Sequence, residues 1–401
     1  MCAVVAQNFI IIFDENNGMR VMKRILSFVS IALLPIFTLS AQTDPFYREW
    51  SDGALNAEDF TRRRSAGNLI GQVYTGIQTY PGEWEKVNWN LRVKRIRSKT
   101  LFDPILSWVR SDTLATQAVR YGQLIFDVTE LTRRQMQNYL AQDPYKPDWH
   151  AVVRRYSDLN EARIDEIERV TYEGKNLVEL QWQENLIAEE MAATPEASDE
   201  IPEYALRKFA IGAYIGASSQ CHLGDCSSYF TPAYGFLCGF NFGIGCSAIY
   251  WDIVLGGGSK LLKDIPGTEI STWCHGRRLH YGETSLQYAY DVYDGDVFRV
   301  SPFAGVGFGF IGCVNPDGNA EVAADDISGL RLLAGLSFEF KYLRSLYLVG
   351  NPMWSSAHGG INEHSLRLKI YLAHTSYQNA MNPYSINCSL SFNILSKYMK
   401  P

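Results

Sequence analysis

The chain has 401 residues, a net charge of −6 and a pI near 5.7, with no basic excess of the kind that marks a nucleic-acid surface. Aromatic residues make up 13% and glycines number 32, a composition that suits strands with an aromatic girdle around a tight interior. The length leaves room for more than one domain.

Taken in chain order, the first segment reads as targeting sequence. Lys23 and Arg24 supply a basic region, Ile25 to Leu39 an apolar one, and Ser40-Ala41-Gln42 a small-residue cleavage site. Residues 1–41 are therefore a leader and signal peptide, with Met22 as the alternative start. Pro35 and the shortness of the run argue against a membrane anchor, and no later apolar run reaches the roughly 20 residues a spanning helix needs. The signal implies export.

Residues 43–193 read as a mainly helical α+β domain. Gly71–Ile77 and Trp89–Val93 alternate as short strands do, and two to four strands are expected between Asn68 and Arg97. The basic run Arg92, Lys94, Arg95, Arg97 and Lys99 alternates with Val93 and Ile96, as the exposed face of a strand would, and is assigned no ligand. Ser111 or Asp112 caps a long helix with Leu114, Ala118, Tyr121, Ile125, Val128 and Leu131 inward. A second helix is expected over Asp148–Glu173, with Val152, Tyr156, Leu159, Ile167 and Val170 inward and Gly174 stopping it. A third covers Leu177–Met191. Residues 194–203 form an acidic, proline-marked linker.

From Tyr204 to Tyr398 the pattern has period two. In Tyr384–Ile394 every even position is apolar or aromatic and every odd one is Ser or Asn, so one face is greasy and the other small and polar. Phe209, Ile211, Ala213 and Ile215 oppose Gly212, Tyr214 and Gly216. Phe236, Phe240 and Phe242 oppose Gly235, Gly239 and Asn241. Val306, Phe308 and Phe310 oppose Gly305, Gly307 and Gly309. The polar faces mix glycine with Arg331, Glu339, Lys341, Arg367 and Lys369, as a narrow lumen with paired charges would. Runs of nine to eleven residues suit tilted membrane strands better than globular ones. Connections alternate long and short, except that Arg344 to Glu363 is too long for a simple turn. Either it is decorated or Leu346–Trp354 is a further strand, and an even count favours eight strands over ten.

On these strands the segment resembles the small eight-stranded outer-membrane barrels of the OmpA and OmpX type. The resemblance implies a multi-domain protein: a periplasmic helical domain followed by a C-terminal antiparallel transmembrane β-barrel. It further implies outer-membrane lipid and the barrel assembly machinery as partners, with a periplasmic or cell-wall partner for the first domain. The chain departs from that family at its end, where Phe392 is followed by a tail through Pro401 and Tyr398 replaces a terminal aromatic. The expected function is noncatalytic: anchoring the first domain, with adhesion or ligand contact through outer loops and no cofactor or metal. A secreted, soluble β-rich binding protein is the alternative if the greasy face is a core.

Four candidate features accompany this reading. Arg120–Leu131 resembles a secreted family assigned as metalloproteases, whose helix carries His-Glu-x-x-His, then Phe-Asp and a later Glu. Gln123, Phe126, Asp127 and Glu130 match, but Tyr121, Gly122 and Ile125 replace the ligands and base, so any such site is dead. His374-Thr375-Ser376 resembles the His-x-Ser of outer-membrane lipid A deacylases, which implies His374 as base and Ser376 as nucleophile on the lipid face. That family continues with Asn-Ala directly after the Ser, whereas Tyr377-Gln378 intervene here. Cys221 and Cys226 bracket a short loop and are candidates for a disulfide. His275 and His280, with Cys274, Arg277 and Arg278, read as a solvated polar loop, or as a contact for anionic headgroups or a metal.

Overall fold

The computed structural model describes residues 47–65, 67–142, 149–264, 275–313, 327–348, 359–377 and 384–400. The leader, Cys274 and most of the Leu346–Trp354 stretch lie outside them. The chain divides into two compact units: one holds residues 208–344 and 362–397, the other residues 39–207, 345–361 and 398–401.

In the unit rich in helices, α1 (Ala115–Gln142), α2 (Trp149–Thr171) and α3 (Leu177–Ala193) follow eight short strands among the described residues. Four of them, Gly71–Gln72, Thr75–Pro81, Glu85–Lys86 and Leu91–Lys94, lie within Asn68–Arg97, where two to four were expected, and a fifth begins at Ile96. The two- and three-residue pairings at Arg48–Glu49, Arg62–Arg64 and Trp108–Arg110 carry too little pattern to be read locally. Asp112 accepts the Leu114 N–H at 3.0 Å ahead of α1, as its capping role requires. Asn176 caps α3 through the Glu179 N–H at 3.2 Å. Gly174 sits at φ 82°, and a Cβ there would lie 2.6 Å from the Tyr121 ring, so the turn after α2 needs glycine twice over. The core gathers Phe60, Phe102, Tyr121, Leu124, Ile125, Phe126, Leu131 and Ile167. Leu159, expected inward, is 50% exposed; Asn160 beside it is buried and donates to Thr129 Oγ1 at 3.4 Å. Of the long stretch after Arg344, residues 349–358 lie outside the described residues. Leu346 and Leu348 bury with Val93, Ile361 and Met399, and the Leu348 N–H donates to the Lys94 carbonyl at 3.0 Å.

The other unit is built on eight strands: β1 (Leu206–Leu223), β2 (Ala233–Ile244), β3 (Ser247–Lys260), β4 (Arg278–Tyr290), β5 (Phe298–Cys313), β6 (Ile327–Tyr347), β7 (Gly360–Tyr377) and β8 (Tyr384–Met399). Each strand neighbours the next, and β8 lies beside β1, so the up-and-down sheet closes on itself. The pairing of β5 with β6 runs from Phe298↔Phe340 to Ile311↔Ile327. Closure leaves no edge with unpaired backbone groups, which is the condition for a sheet to cross a bilayer. One end has tight connections, such as the Gly245-Cys246 turn with Gly245 at φ 64°; the other has the long ones.

Side chains alternate about this ring as the sequence pattern requires, and in the inverted sense. Phe236, Phe240, Trp251, Leu286, Tyr288, Val306, Phe308, Leu332, Leu372, Leu390 and Phe392 are exposed, while Ser385, Asn387, Ser389, Ser391 and Asn393 are buried. The greasy face is thus an exterior, not a core, and the soluble-sandwich alternative fails on that point.

Candidate functional site

The lumen is where the chemistry of the barrel lies. Arg331, Glu339, Lys341, Arg367 and Lys369, expected there by parity, are all within 3% of complete burial. Uncompensated charges are costly in such a place, so each must find a counter-charge. At the tight-turn end Arg299 joins Glu363 at 2.9 Å, Asp294 at 3.0 Å and Glu339 at 3.3 Å; Lys341 joins Asp294 at 2.5 Å and Glu363 at 3.5 Å. Next, Arg367 Nε donates to Glu339 Oε1 at 2.6 Å, with its guanidinium 4.4 Å from the centre of the Tyr250 ring and 4.8 Å from that of Tyr214.

Further along, Lys369 Nζ lies 2.9 Å from both Asp252 oxygens and 3.0 Å from Gln287 Oε1, and the Tyr214 hydroxyl donates to the same carboxylate. Gly239 makes room for Tyr214: a Cβ there would sit 2.5 Å from its hydroxyl. Arg331 pairs with Glu283 at 3.3 Å and donates to Asn387 at 2.9 Å. Beyond it the long-loop end is filled by Phe230, Leu237, Leu261, Tyr281, Ile311 and Tyr377, with Cys226 turned in among them. The interior is thus a packed column of ion pairs and aromatic rings, as an eight-stranded ring allows.

Sequence parity singled out Arg331, Glu339, Lys341, Arg367 and Lys369 for this column but not Asp252, Glu283 and Glu363. Asp252 was legible in principle, since it alternates with the exposed Ile249, Trp251 and Leu255. Cys221 and Cys226, the candidates for a disulfide, are both free, the first exposed and the second buried. His374 and Ser376 do face outward, on the apolar side of β7. The His374 ring lies 4.6 Å from that of Tyr384, and no hydrogen bond joins it to Ser376 among the described residues.

In α1 the stretch from Arg120 to Glu130 has structural occupations. Tyr121 donates to Glu168 at 3.1 Å, Gln123 Nε2 to Asp127 at 2.7 Å, and Trp50 Nε1 to Asp127 at 2.8 Å. Glu130 accepts from Thr100, Arg133 and Arg134, each within 2.9 Å. Burial works to raise the Glu130 carboxyl, but the bonds from Arg133 and Arg134 outweigh it and hold it below its ordinary range. Burial raises Asp127 against the bonds from Trp50 and Gln123. No group of three or more metal-ligating side chains exists among the described residues, and nothing supports the protease resemblance.

The closed ring, greasy exterior and charged interior define a transmembrane β-barrel of the outer-membrane type. No family model matches the chain, and no curated protein matches it. Among solved structures it is similar to Ail, the attachment invasion locus protein of Yersinia pestis. The identity is 11% over 47% of this chain and 99% of that one, at a TM-score of 0.29. The Neisserial surface protein A matches at 10% identity, 48% and 97% coverage and a TM-score of 0.27. The N-terminal barrel of Pseudomonas aeruginosa OprF matches at 12%, 47% and 99%, and 0.25.

Proposed function

We propose that this chain is a noncatalytic outer-membrane protein whose barrel anchors the helix-rich unit in the periplasm and presents its long connections outside for adhesion or ligand contact. The observation that carries the reading is the inversion of the barrel: aromatic and aliphatic side chains cover its exterior while buried charges, such as Arg367 and Glu339, fill its centre. The ion-pair column argues against a channel. Outer-membrane lipid and the assembly machinery are the partners such a barrel requires, and a cell-wall or periplasmic partner suits the first unit. The test is fractionation followed by electrophoresis. The protein stays in the membrane pellet through carbonate and high salt, and runs faster unheated than boiled after detergent extraction. Release by carbonate overturns the reading. A hydrolase acting on outer-leaflet lipid is the second reading, favoured by the lipid-facing placement of His374 and Ser376.

A further inference from the structure

A bulge in β3 sets two cations against each other on the barrel's outer face. Along β3 the even positions Tyr250, Asp252 and Val254 point into the lumen and are buried. The pairing with β4 then slips by one residue between Gly256 and Ser259, within a run of three glycines whose last, Gly258, has φ 82°. A single extra residue reverses the faces beyond it, which is a recognised use of a bulge. Ser259 is buried and Lys260 turns outward, directly across the ladder from Arg278. Like charges placed opposite each other destabilise a strand pair.

Neither the Lys260 ammonium nor the Arg278 guanidinium has a hydrogen-bond or ion-pair partner among the described residues; the nearby Asp264 carboxylate accepts the His275 N–H at 2.7 Å. Lys263 and His275 are exposed in the same connection. Below the pair the exterior is greasy, with Leu255 and Leu286, and Tyr234 stands exposed near Gly258. Tyr288 and Arg278 lie on the same face of β4, separated by about 33 Å of strand or about 25 Å of depth at the usual tilt, the height of a barrel's apolar band. Arg278 and Lys260 therefore stand at headgroup level, at the end with the long connections.

From this placement we infer that Lys260 and Arg278 bind the phosphate of a phosphorylated lipid in the outer leaflet, its acyl chains lying along Leu255 and Leu286. The inference rests on the outer-membrane reading. A lipid is favoured over free phosphate because the pair borders a hydrophobic band rather than an aqueous cleft.

The full chain in nonionic detergent is titrated with a bisphosphorylated acyl-glucosamine disaccharide lipid, the same lipid dephosphorylated, and inorganic phosphate, and adducts are read by native mass spectrometry. The phosphorylated lipid binds the wild type. Its apparent affinity falls about thirtyfold in the Lys260→Gln, Arg278→Gln double variant, the order expected for two basic groups at an anionic surface. Equal binding of the dephosphorylated lipid, equal binding by the variant, or displacement by inorganic phosphate overturns the site. A wild type with no heat-modifiable band fails the barrel reading itself and takes the site with it. A heat-modifiable protein indifferent to phosphate sinks the site alone.

Discussion

Lys369 on β7 and Asp252 on β3 meet across the centre of the barrel, 2.9 Å from Nζ to each carboxylate oxygen, although 117 residues separate them. Both are buried, so the pair is held by geometry that leaves neither charge an alternative partner in water. Removing one partner strands the other, which costs about 3–5 kcal/mol, whereas replacing both with apolar groups of similar volume is close to neutral. Asp252→Ala is therefore expected to lower the temperature of the heat-modifiability transition strongly. The Asp252→Leu, Lys369→Met double variant recovers most of the loss. Equal transitions for the two would contradict the pairing.

The packed lumen makes a second prediction. Arg299, Glu339 and Arg367 are consecutive links of one network, with Glu339 shared between the two guanidinium groups. Planar-bilayer recordings of the wild type are expected to show no steady conductance, because side chains fill an eight-stranded interior. Replacing all three residues with serine removes both the bulk and the balanced charges, and discrete openings follow. A steadily conducting wild type would refute the plug.

Much of this barrel was legible in the sequence, and the limits have physical causes. Face alternation is local, so Tyr384–Ile394 revealed its two sides without any knowledge of neighbours, and parity alone placed Arg331 and Lys369 in the lumen. Which charge meets which is not local. The Lys369–Asp252 pair depends on strand register around the ring, and no window of sequence contains both residues. The bulge at Gly256–Ser259 is a one-residue offset, so a reading by strict parity sends Lys260 to the wrong face. The infolding of Cys226 and Phe230 was hidden for a related reason: loop residues have no period to read. In the helical unit the opposite problem arose at Leu159, where helical spacing pointed to burial but Asn160 took the inward position.

In that unit, acid sensitivity is expected to come from Glu130. Its carboxyl lies below its ordinary value of 4.5 when folded, so the stability it contributes is fully present above that value and is lost as pH falls through the folded one. Asp127 works oppositely. Its raised carboxyl costs stability above its folded value, and that cost disappears as pH falls below the ordinary 3.8. Urea unfolding of the full chain in detergent, followed by tryptophan fluorescence, is expected to weaken as pH drops below about 4.5. Glu130→Gln flattens this dependence while lowering stability at neutral pH. Asp127→Asn keeps an acceptor for Trp50, raises neutral stability and makes the acid loss steeper. An unchanged profile in Glu130→Gln would remove the assignment.

Thiol accessibility checks the two faces residue by residue. Cys221 is exposed near the long-loop end of β1 and Cys226 is buried, whereas Cys388 is exposed amid Ile386 and Leu390 on the apolar exterior. Single-cysteine variants on intact cells are expected to react with a charged maleimide at Cys221 and not at Cys226. At Cys388 only a lipophilic reagent reacts until detergent removes the bilayer. Labelling of Cys388 by the charged reagent in intact cells would place that surface in water.

The last prediction concerns Ser376, where a hydrolase and an inert barrel differ. Nucleophilic serine chemistry needs the base within about 2.6–3.2 Å of the hydroxyl, and a third group to orient the base. His374 and Ser376 are successive outward positions on one strand, a spacing of about 7 Å between side-chain origins. His374 instead lies against the Tyr384 ring at 4.6 Å, and no carboxylate bonds to it among the described residues. On the noncatalytic reading, a histidine held against a ring on the outer face, one strand-step from a serine, is an interfacial polar group. Wild type and Ser376→Ala are therefore expected to release acyl chains from lipopolysaccharide at the same background rate. A wild-type rate well above background that Ser376→Ala abolishes would establish the hydrolase and overturn the noncatalytic reading.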